Sequence, residues 1–356
     1  MSARAEPEAA SLRSGAGGAL ALHATGASLL AVTMLAALAI GPVALDPIAA
    51  WRAASDDPAH IILVGARAPR ILLAALVGGA LGVGGASLQA LLRNPLACPH
   101  VLGISGGAAL LGIVAMIATP LASASALLGG QAALMLVPAA AFAGGLVTAA
   151  LVQEVAAATG RVSPYTLLLT GVVFNAFAAA VITFINTLAD FYRSSGILSW
   201  VVGTVTVRGG AWTVVAAATL AAGLVLLLAS ARDLNALALG DEGAASLGVD
   251  VDRTRRHVYL AVALLVAGAV PVSGMIGFVG LIVPHVVRLA VGSDQRRVLP
   301  GSLWGGAVFL VAADTVARSV LGATELPVGV ITALSGGPFF LYLLRRQGRR
   351  ALAGEA

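Results

Sequence analysis

The chain has 356 residues, of which 59% are hydrophobic and only 10% are charged. A soluble domain is about half apolar and about a quarter charged. So few charges cannot cover a surface that faces water, which argues against a soluble enzyme, a disordered chain and a nucleic-acid-binding domain. The composition instead indicates an all-α polytopic protein in a lipid bilayer, because a spanning helix satisfies its own backbone polar groups.

The basic residues are 21 arginines, with no lysine in the chain, and 16 acidic residues leave a net charge of +5. These arginines lie between apolar segments, as is typical of membrane flanks, so nucleic acid is not expected as a partner. A Walker A loop needs a lysine on the phosphates, so the chain does not bind ATP by that route, and if ATP drives its function another subunit supplies the ATPase. The single cysteine, Cys98, cannot form an intrachain disulfide.

In chain order, ten apolar segments are predicted to span the membrane: 24–45, 71–92, 101–119, 131–152, 166–188, 211–231, 257–272, 276–292, 301–321 and 327–344. The seventh and eighth are short and flank Pro271, Ser273 and Gly274, and residues 195–210 are expected to form a short helix and loop that do not span. One transmembrane domain is therefore predicted for 24–344, between an N-terminal tail (1–23) and a C-terminal tail (345–356).

An even number of spans places both termini on one side of the membrane. With the termini inside, 15 of the 21 arginines lie on the inner side, so the positive-inside rule predicts cytoplasmic termini in an inner membrane. The patterns Gly78-x-x-x-Gly82, Gly103-x-x-x-Gly107 and Gly301-x-x-x-Gly305 are candidate sites of close helix contact, although a chain rich in glycine and alanine also produces such patterns by chance.

Charged residues within or beside spans are candidate functional residues, because burying a charge in a membrane is costly. Asp314 and Arg318 have i,i+4 spacing and share one helix face. They form either a structural pair or a site at which Arg318 reaches the outer surface. Arg67 and Arg70 precede the second span on the outer side, where arginine is disfavoured. They form either a surface that binds acidic groups or an ordinary solvated flank.

The cytoplasmic segment 235–250 is too short to span and is predicted to form two short helices broken at Gly240. Asp241 is a candidate cap for the second helix, and Gly248 is a candidate end. Because the segment has an apolar face, it is expected either to dock onto a partner protein or to lie on the membrane surface.

Several of these stretches together resemble the permease subunits of type II ABC importers for iron chelates, haem and vitamin B12. The resemblance covers about residues 60–345 and is carried by Arg67-Ala-Pro-Arg70, Gly84-Gly-Ala-Ser-Leu-Gln89, Arg93-Asn-Pro-Leu-Ala97, Leu102-Gly-Ile-Ser-Gly-Gly107, Gly240-Asp-Glu-Gly-Ala-Ala-Ser-Leu-Gly248, Gly277-Phe-Val-Gly-Leu-Ile-Val-Pro-His-Val-Val-Arg288, Ala313-Asp-Thr-Val-Ala-Arg318 and Glu325-Leu-Pro-Val-Gly-Val330.

The resemblance implies a homodimer of ten-helix subunits that makes and breaks no covalent bond. Its partners would be two ATPase subunits and a periplasmic substrate-binding protein, with ATP and Mg²⁺ bound by the ATPase. It implies binding-protein docking by Arg67, Arg70 and Arg318. It implies ATPase coupling by Leu239, Gly240, Asp241, Glu242, Ala245, Leu247 and Gly248, and a translocation path along the fifth span with Tyr165, Asn175 and Asn186.

The cargo is the open part of this hypothesis. Where the family usually has an acidic residue before a proline, this chain has Cys98, followed by Pro99 and His100. Cysteine and histidine are both haem-iron ligands, but a buried thiol at a helix start is the alternative. No fixed metal site is expected. Haem is the first expected cargo, with a ferric siderophore or vitamin B12 as alternatives.

Two other classes of protein are weighed against the importer. A secondary transporter driven by an ion gradient needs carboxylates inside its spans, and Asp314 is the only acidic residue found well inside one. An intramembrane metalloprotease needs a motif such as H-E-x-x-H, which the chain lacks.

Overall fold

The computed structural model describes residues 5–124, 130–158, 163–188, 191–207, 209–322 and 324–352. Within these ranges the regular secondary structure is entirely helical. A π-helix spans Ile61–Arg67 and a 3₁₀-helix spans Pro99–Leu102. The α-helices are α1 (Ala5–Ala39), α2 (Pro47–Arg52), α3 (Pro58–His60), α4 (Ala68–Leu91), α5 (Ile104–Ala124), α6 (Gly130–Ala157), α7 (Pro164–Leu188), α8 (Phe191–Val202), α9 (Gly210–Ala229), α10 (Ala231–Leu237), α11 (Asp241–Ser246), α12 (Val251–Ser273), α13 (Val279–Val291), α14 (Gln295–Ser319) and α15 (Val328–Leu352).

The described residues contain seven helical stretches that are long and apolar enough to cross a membrane: Gly17–Ala39, Pro58–Leu91, Met135–Ala157, Pro164–Leu188, Gly210–Ala229, Val251–Ser273 and Gln295–Ser319. Three shorter apolar helical stretches, Ile104–Thr119, Val279–Val291 and Val328–Leu343, coincide with the other three predicted segments. The polytopic helical fold is therefore confirmed, and the number of ten spans stays a prediction.

Several helix ends differ from the predicted boundaries. Helix α1 runs through the expected boundary at residue 24 and ends at Ala39, just before the Gly41-Pro42 pair that disfavours further helix. The second spanning stretch begins at Pro58, well before residue 71, because the π-helix joins it to α4. Helix α15 continues to Leu352, into the predicted tail. Residues 1–4 and 353–356 of the predicted tails lie outside the described residues.

Helix α4 is the most deeply buried of the seven candidate spans, and its glycines allow this packing. Side chains built at Gly78 and Gly82 would collide with the backbone carbonyls of Gly306 and Ser302 in α14. The first small-xxx-small pattern is therefore a real helix contact. Gly103, by contrast, lies outside α5 with a positive φ of 81° and ends the 3₁₀-helix.

The chain breaks between α12 and α13, as the short predicted segments indicated. Gly274 has φ of 64°, and Phe278 adopts the left-handed conformation with φ of 68°, which is rare for a bulky residue. The segment after α8 is extended, and the amides of Thr204 and Thr206 donate to the last carbonyls of α12, those of Ser273 and Val272. This pairing satisfies carbonyls that a helix end leaves open.

The segment 235–250 forms a surface helix pair, α10 and α11, at one end of the bundle. The pair breaks at Gly240, with φ of 97°, as the sequence predicts, and α11 ends at Ser246, two residues before Gly248, which has φ of 84°. The prediction that Asp241 caps α11 is wrong: Gly240 occupies the cap position, and Asp241 is the first helical residue. Its carboxylate is held by arginines instead.

Candidate functional site

A cluster of charged side chains lies where the start of α4 meets the end of α14. Arg70 donates from Nε and Nη2 to the Asp314 carboxylate at 2.9–3.1 Å, and from Nη1 to Glu325 Oε2 at 2.6 Å. Arg318 Nε lies 3.5 Å from Asp314 Oδ2. The Asp314 side chain is 1% exposed and that of Arg318 is 3% exposed. These four residues, the Asp314 cluster, form an ion-pair network that is buried at Asp314 and Arg318 and exposed at Glu325.

The expectation that Arg318 reaches the outer surface is wrong in this structure, because the side chain turns inward. Arg318 Nη2 donates to the carbonyl of Ala37 at 2.7 Å. Arg67 is also buried, and its guanidinium donates to backbone carbonyls of the last turn of α1, including that of Leu38 at 2.7 Å. A cavity of about 190 Å³ nevertheless opens between Arg67, Arg70, Arg318 and Glu325, so the three predicted docking arginines do lie together.

The Asp314 cluster also bears on ion-coupled transport. Asp314 was the only acidic residue found well inside a predicted span, and it forms ion pairs with Arg70 and Arg318. Both of its carboxylate oxygens are engaged by these two arginines, an arrangement typical of a structural ion-pair network. The geometry therefore argues against the alternative of a transporter driven by an ion gradient.

At the opposite end of the bundle, the surface helix pair is amphipathic. Leu237 and Ala244 point inward and are almost fully buried, at 1% and 0% exposed. Leu239 and Leu247 point outward and are 70% and 64% exposed. The other predicted coupling residues on α11, Glu242 and Ala245, are exposed as well. The pair thus presents two exposed leucines away from the bundle.

Asp241 is the exception on this surface, because two arginines hold its side chain. Arg255 Nη2 donates to Asp241 Oδ1 at 2.7 Å and to Oδ2 at 2.8 Å, and Arg93 Nη2 donates to Oδ1 at 3.1 Å. We call these three residues the Asp241 cluster. Sequence analysis missed the pairing, although Arg93 belongs to a stretch that carries the resemblance. The residues are 148 and 14 positions from Asp241, so only the fold brings them together.

Further polar contacts join α10 to α12 and α14. Asn235 donates to Asp294 Oδ1 at 2.8 Å and accepts from the amide of Gln295 at 2.8 Å. Thr254 Oγ1 donates to Asp233 Oδ2 at 3.3 Å. Hydrogen bonds from Arg296 and Asn235 lower the pKa of Asp294 to about 2. Helix α10 is therefore anchored to α12 and to the start of α14.

The residues predicted to line a path lie on α7, which is largely unpacked. Only Leu167, Gly171, Ala178 and Ile182 of this helix are buried, along one face. Tyr165 is 73% exposed. Asn175 donates to the carbonyl of His100 at 2.6 Å and so ties α7 to the 3₁₀-helix. Asn186 is partly buried, and the contacts do not bring it to Asn175 or Tyr165.

Cys98 directly precedes the 3₁₀-helix, with an extended backbone and a partly buried thiol. Burial raises the pKa of this thiol, which disfavours the thiolate that binds metals. This environment favours the structural alternative over the haem-ligand hypothesis. Within the described ranges, no group of three or more His, Cys, Asp or Glu side chains could hold a metal ion.

Comparison with known proteins supports the resemblance along most of the chain. Residues 29–346 match the FecCD transport family. The chain is 44% identical over 300 residues to a cobalamin import system permease protein, BtuC, of Halobacterium salinarum, covering 83% of this chain and 76% of that protein. It is 37% identical over 328 residues to the hemin transport system permease protein HmuU of Yersinia pestis, covering 90% and 93%.

Other relatives extend the range of named cargoes and support the fold. The Fe(3+) dicitrate transport system permease protein FecD of Escherichia coli is 36% identical over 301 residues, covering 83% of this chain and 88% of that protein. A solved structure described as an inward-facing conformation of a metal-chelate type ABC transporter superposes with a TM-score of 0.78 at 29% identity. The superposition covers 91% of this chain and 98% of that one. The chain therefore belongs to the FecCD transport family and is a non-catalytic permease of the type II ABC importers.

Proposed function

We propose that the chain is the ten-helix subunit of a homodimeric importer that moves a metal-bearing chelate across the inner membrane into the cytoplasm. Both termini and the surface helix pair would then be cytoplasmic, and the Asp314 cluster would lie at the outer end. ATP and Mg²⁺ would be bound by two ATPase subunits, and a periplasmic binding protein would deliver the substrate. The observation that carries this proposal is the exposed apolar face of the surface helix pair.

The surface helix pair would fit a groove on the ATPase through Leu239 and Leu247, with Glu242 and Ala245 beside them. A leucine side chain exposed to water is unfavourable, and burying one in the ATPase groove would stabilise the complex by about 1.5–3 kcal/mol. A Leu239→Ala/Leu247→Ala variant should weaken ATPase binding by at least tenfold in detergent. The exposed Leu260→Ala on the flank of α12 is a matched control. Unchanged ATPase binding by the double variant would refute the docking surface.

The binding protein would dock over the Asp314 cluster, with an acidic side chain entering the cavity between Arg67, Arg70 and Arg318. Three arginines against the two acidic side chains Asp314 and Glu325 leave a net positive charge around this cavity, which attracts a carboxylate. Arg70→Gln should weaken binding-protein affinity about tenfold or more, as truncation of a charge pair at an interface does. Arg52→Gln is the control, because Arg52 is exposed and does not line the cavity. Equal effects of both changes would contradict this site.

The second subunit would pack against the unpartnered face of α7, so that the path runs along the dimer axis beside Tyr165, Asn175 and Asn186. The large apolar side chains Val173, Phe177 and Phe184 are 58–64% exposed along this helix. An apolar wall with few polar groups binds a large flat ligand weakly enough to release it. Cysteines introduced at Phe177 should crosslink within the dimer in membranes, and failure to crosslink would contradict this arrangement.

The mechanism follows from docking at both ends of the bundle. ATP binding would close the ATPase dimer, move the surface helix pair and open the path outward, and hydrolysis would switch access inward. Haem is the first cargo that we propose, with a ferric siderophore and vitamin B12 as alternatives, since relatives are named for hemin, dicitrate iron and cobalamin transport. ATP-dependent haem uptake into proteoliposomes that hold the complete transporter tests this directly. Uptake of another chelate instead would keep the class and overturn the cargo.

A further inference from the structure

The chain connects the surface helix pair directly to only two of its neighbours. Helix α9 ends at Ala229 and α10 begins at Ala231, whereas α11 ends at Ser246 and α12 begins at Val251. Helix α4, the most buried span, is joined to the pair only through contacts in space. A movement of the pair therefore reaches α4 only through side-chain contacts.

The Asp241 cluster supplies the polar part of that connection. Arg93 directly follows the end of α4, and Arg255 lies in the second turn of α12 with its side chain 6% exposed. The two arginines meet on one carboxylate of α11, that of Asp241, which is 46% exposed, whereas Leu239 and Leu247 are more exposed. Arg93 adopts φ of 48°, a left-handed conformation that costs about 1–2 kcal/mol for a residue other than glycine.

We infer that Asp241 is a positioning residue for transport: it fixes α11 to α4 and α12, so that movement imposed by the ATPase displaces all three helices together. This inference rests on the proposed function of the surface helix pair. It assigns Asp241 a different task from the direct ATPase contact implied by the family resemblance. Leu239 and Leu247 bind the ATPase, and Asp241 transmits the displacement of α11 to α4 and α12.

Helix α4 is suited to carry this displacement across the membrane. Its 24 residues span about 36 Å at 1.5 Å per residue. The Asp241 cluster lies at one end and Arg70 of the Asp314 cluster at the other. Close backbone packing of Gly78 and Gly82 on α14 makes α4 and α14 move as one body, because packed interiors are not continuously deformable. A shift at Arg93 would therefore reach the docking site of the binding protein.

The test separates ATPase binding from coupling in the complete transporter. Asp241→Asn and Arg93→Gln should leave ATPase affinity within about twofold and retain basal ATP hydrolysis. Stimulation by the loaded binding protein and transport of the cargo should each fall about tenfold. Arg93→Gln is included because the Arg93 side chain is 44% exposed, so this variant should fold even if Asp241→Asn does not. Asp241→Glu should restore part of the coupling. Asp252→Asn and Arg256→Gln, which change the same charges nearby without touching the cluster, should behave like the parent.

Three outcomes decide the inference. If Asp241→Asn weakens ATPase binding in proportion to its loss of transport, Asp241 contacts the ATPase directly and the positioning role is wrong. If stimulation and transport stay at the parent level in both Asp241→Asn and Arg93→Gln, the inference is also wrong. The Leu239→Ala/Leu247→Ala variant tests the underlying function separately: if it binds the ATPase normally, the proposed docking surface fails regardless of how Asp241 behaves.

Discussion

Removal of the Asp314 carboxylate should be among the most destabilising single changes in this chain. Asp314 is 1% exposed, and it holds Arg70 through two donors and Arg318 through one ion pair. In Asp314→Ala, the buried Arg318 loses this counter-charge and keeps the Ala37 carbonyl and the Thr315 hydroxyl as neutral acceptors. Breaking a buried pair by removing one partner costs about 3–5 kcal/mol, because it leaves an uncompensated charge.

This cost translates into a measurable loss of thermal stability. At about 2.1 cal/mol/K of unfolding entropy per residue, 356 residues give an expected fall in melting temperature of about 4–7 °C. Intrinsic fluorescence of the purified permease during heating in detergent measures it. Glu325→Gln is the matched control: Glu325 also accepts from Arg70, but it is 44% exposed. An exposed pair contributes at most about 1 kcal/mol.

Comparing Asp314→Ala with Glu325→Gln tests whether burial is what gives the ion-pair network its strength. If Asp314→Ala melts within about 1 °C of the parent, the network does not hold the ends of α4 and α14 together. If Glu325→Gln costs as much as Asp314→Ala, burial is not what gives the network its strength. A double variant, Arg318→Leu/Asp314→Leu, should recover part of the loss, because replacing a buried pair by apolar groups avoids the unpaired charge.

Three further changes have expected outcomes. Gly78→Ala should lower stability by about 1–3 kcal/mol, since its new methyl group meets the backbone of α14, whereas Gly337→Ala, with open space around it, should cost less than about 1 kcal/mol. Arg93→Gly should leave stability unchanged or raise it by up to about 1 kcal/mol, because relief at φ of 48° offsets a half-exposed ion pair, while coupling falls. Asp294, whose pKa is lowered to about 2, should stabilise the fold above its ordinary pKa of 3.8, and this contribution should disappear as pH falls through about 2. Asp294→Asn should therefore remove that part of the acid sensitivity.

Melting curves in detergent measure the stability changes, and stimulation of ATP hydrolysis by the binding protein measures coupling. Equal melting of Gly78→Ala and Gly337→Ala would contradict the close α4–α14 packing. Normal stimulation in Arg93→Gly would mean that this ion pair has no part in coupling. A parent-like loss of stability between pH 4 and pH 2 in Asp294→Asn would mean that other carboxylates account for the acid sensitivity.

Apolar segment length was sufficient to predict an all-helical polytopic fold, because a bilayer requires about 20 apolar residues per span. Glycine positions also carried reliable information: Gly240 and Gly248 mark the break and the end of the surface helix pair, where a positive φ is needed. Helix ends were less well predicted. The π-helix Ile61–Arg67 extends the second spanning stretch toward its N-terminus. Because His60 and Arg67 are polar, the hydropathy pattern predicts a flank here and places the start of the span too late.

Side-chain pairing could not be predicted from the pattern. Arg70 and Asp314 lie 244 residues apart, and Arg93 and Asp241 lie 148 apart, so no local spacing indicates either pair. Asp241 illustrates the error this causes: its position after Gly240 suggested a cap, but its charge serves two distant arginines. The arginines were correctly identified as unusual, but their burial and their partners depend on how α4 packs against α14 and α12.

The two charge clusters of α4 differ in the property that decides whether an ion pair can be broken during a transport cycle. In the Asp314 cluster the Asp314 and Arg318 side chains are 1% and 3% exposed, so leaving either charge buried without its partner costs about 3–5 kcal/mol. In the Asp241 cluster the Asp241 and Arg93 side chains are 46% and 44% exposed, and water replaces their interaction at a cost of about 1 kcal/mol or less. The Asp241 end can therefore shift together with the surface helix pair at little cost, while Arg255, whose side chain is 6% exposed, keeps Asp241 tied to α12. The ion pairs of the Asp314 cluster would stay intact, so that α4 and α14 move together as a rigid unit.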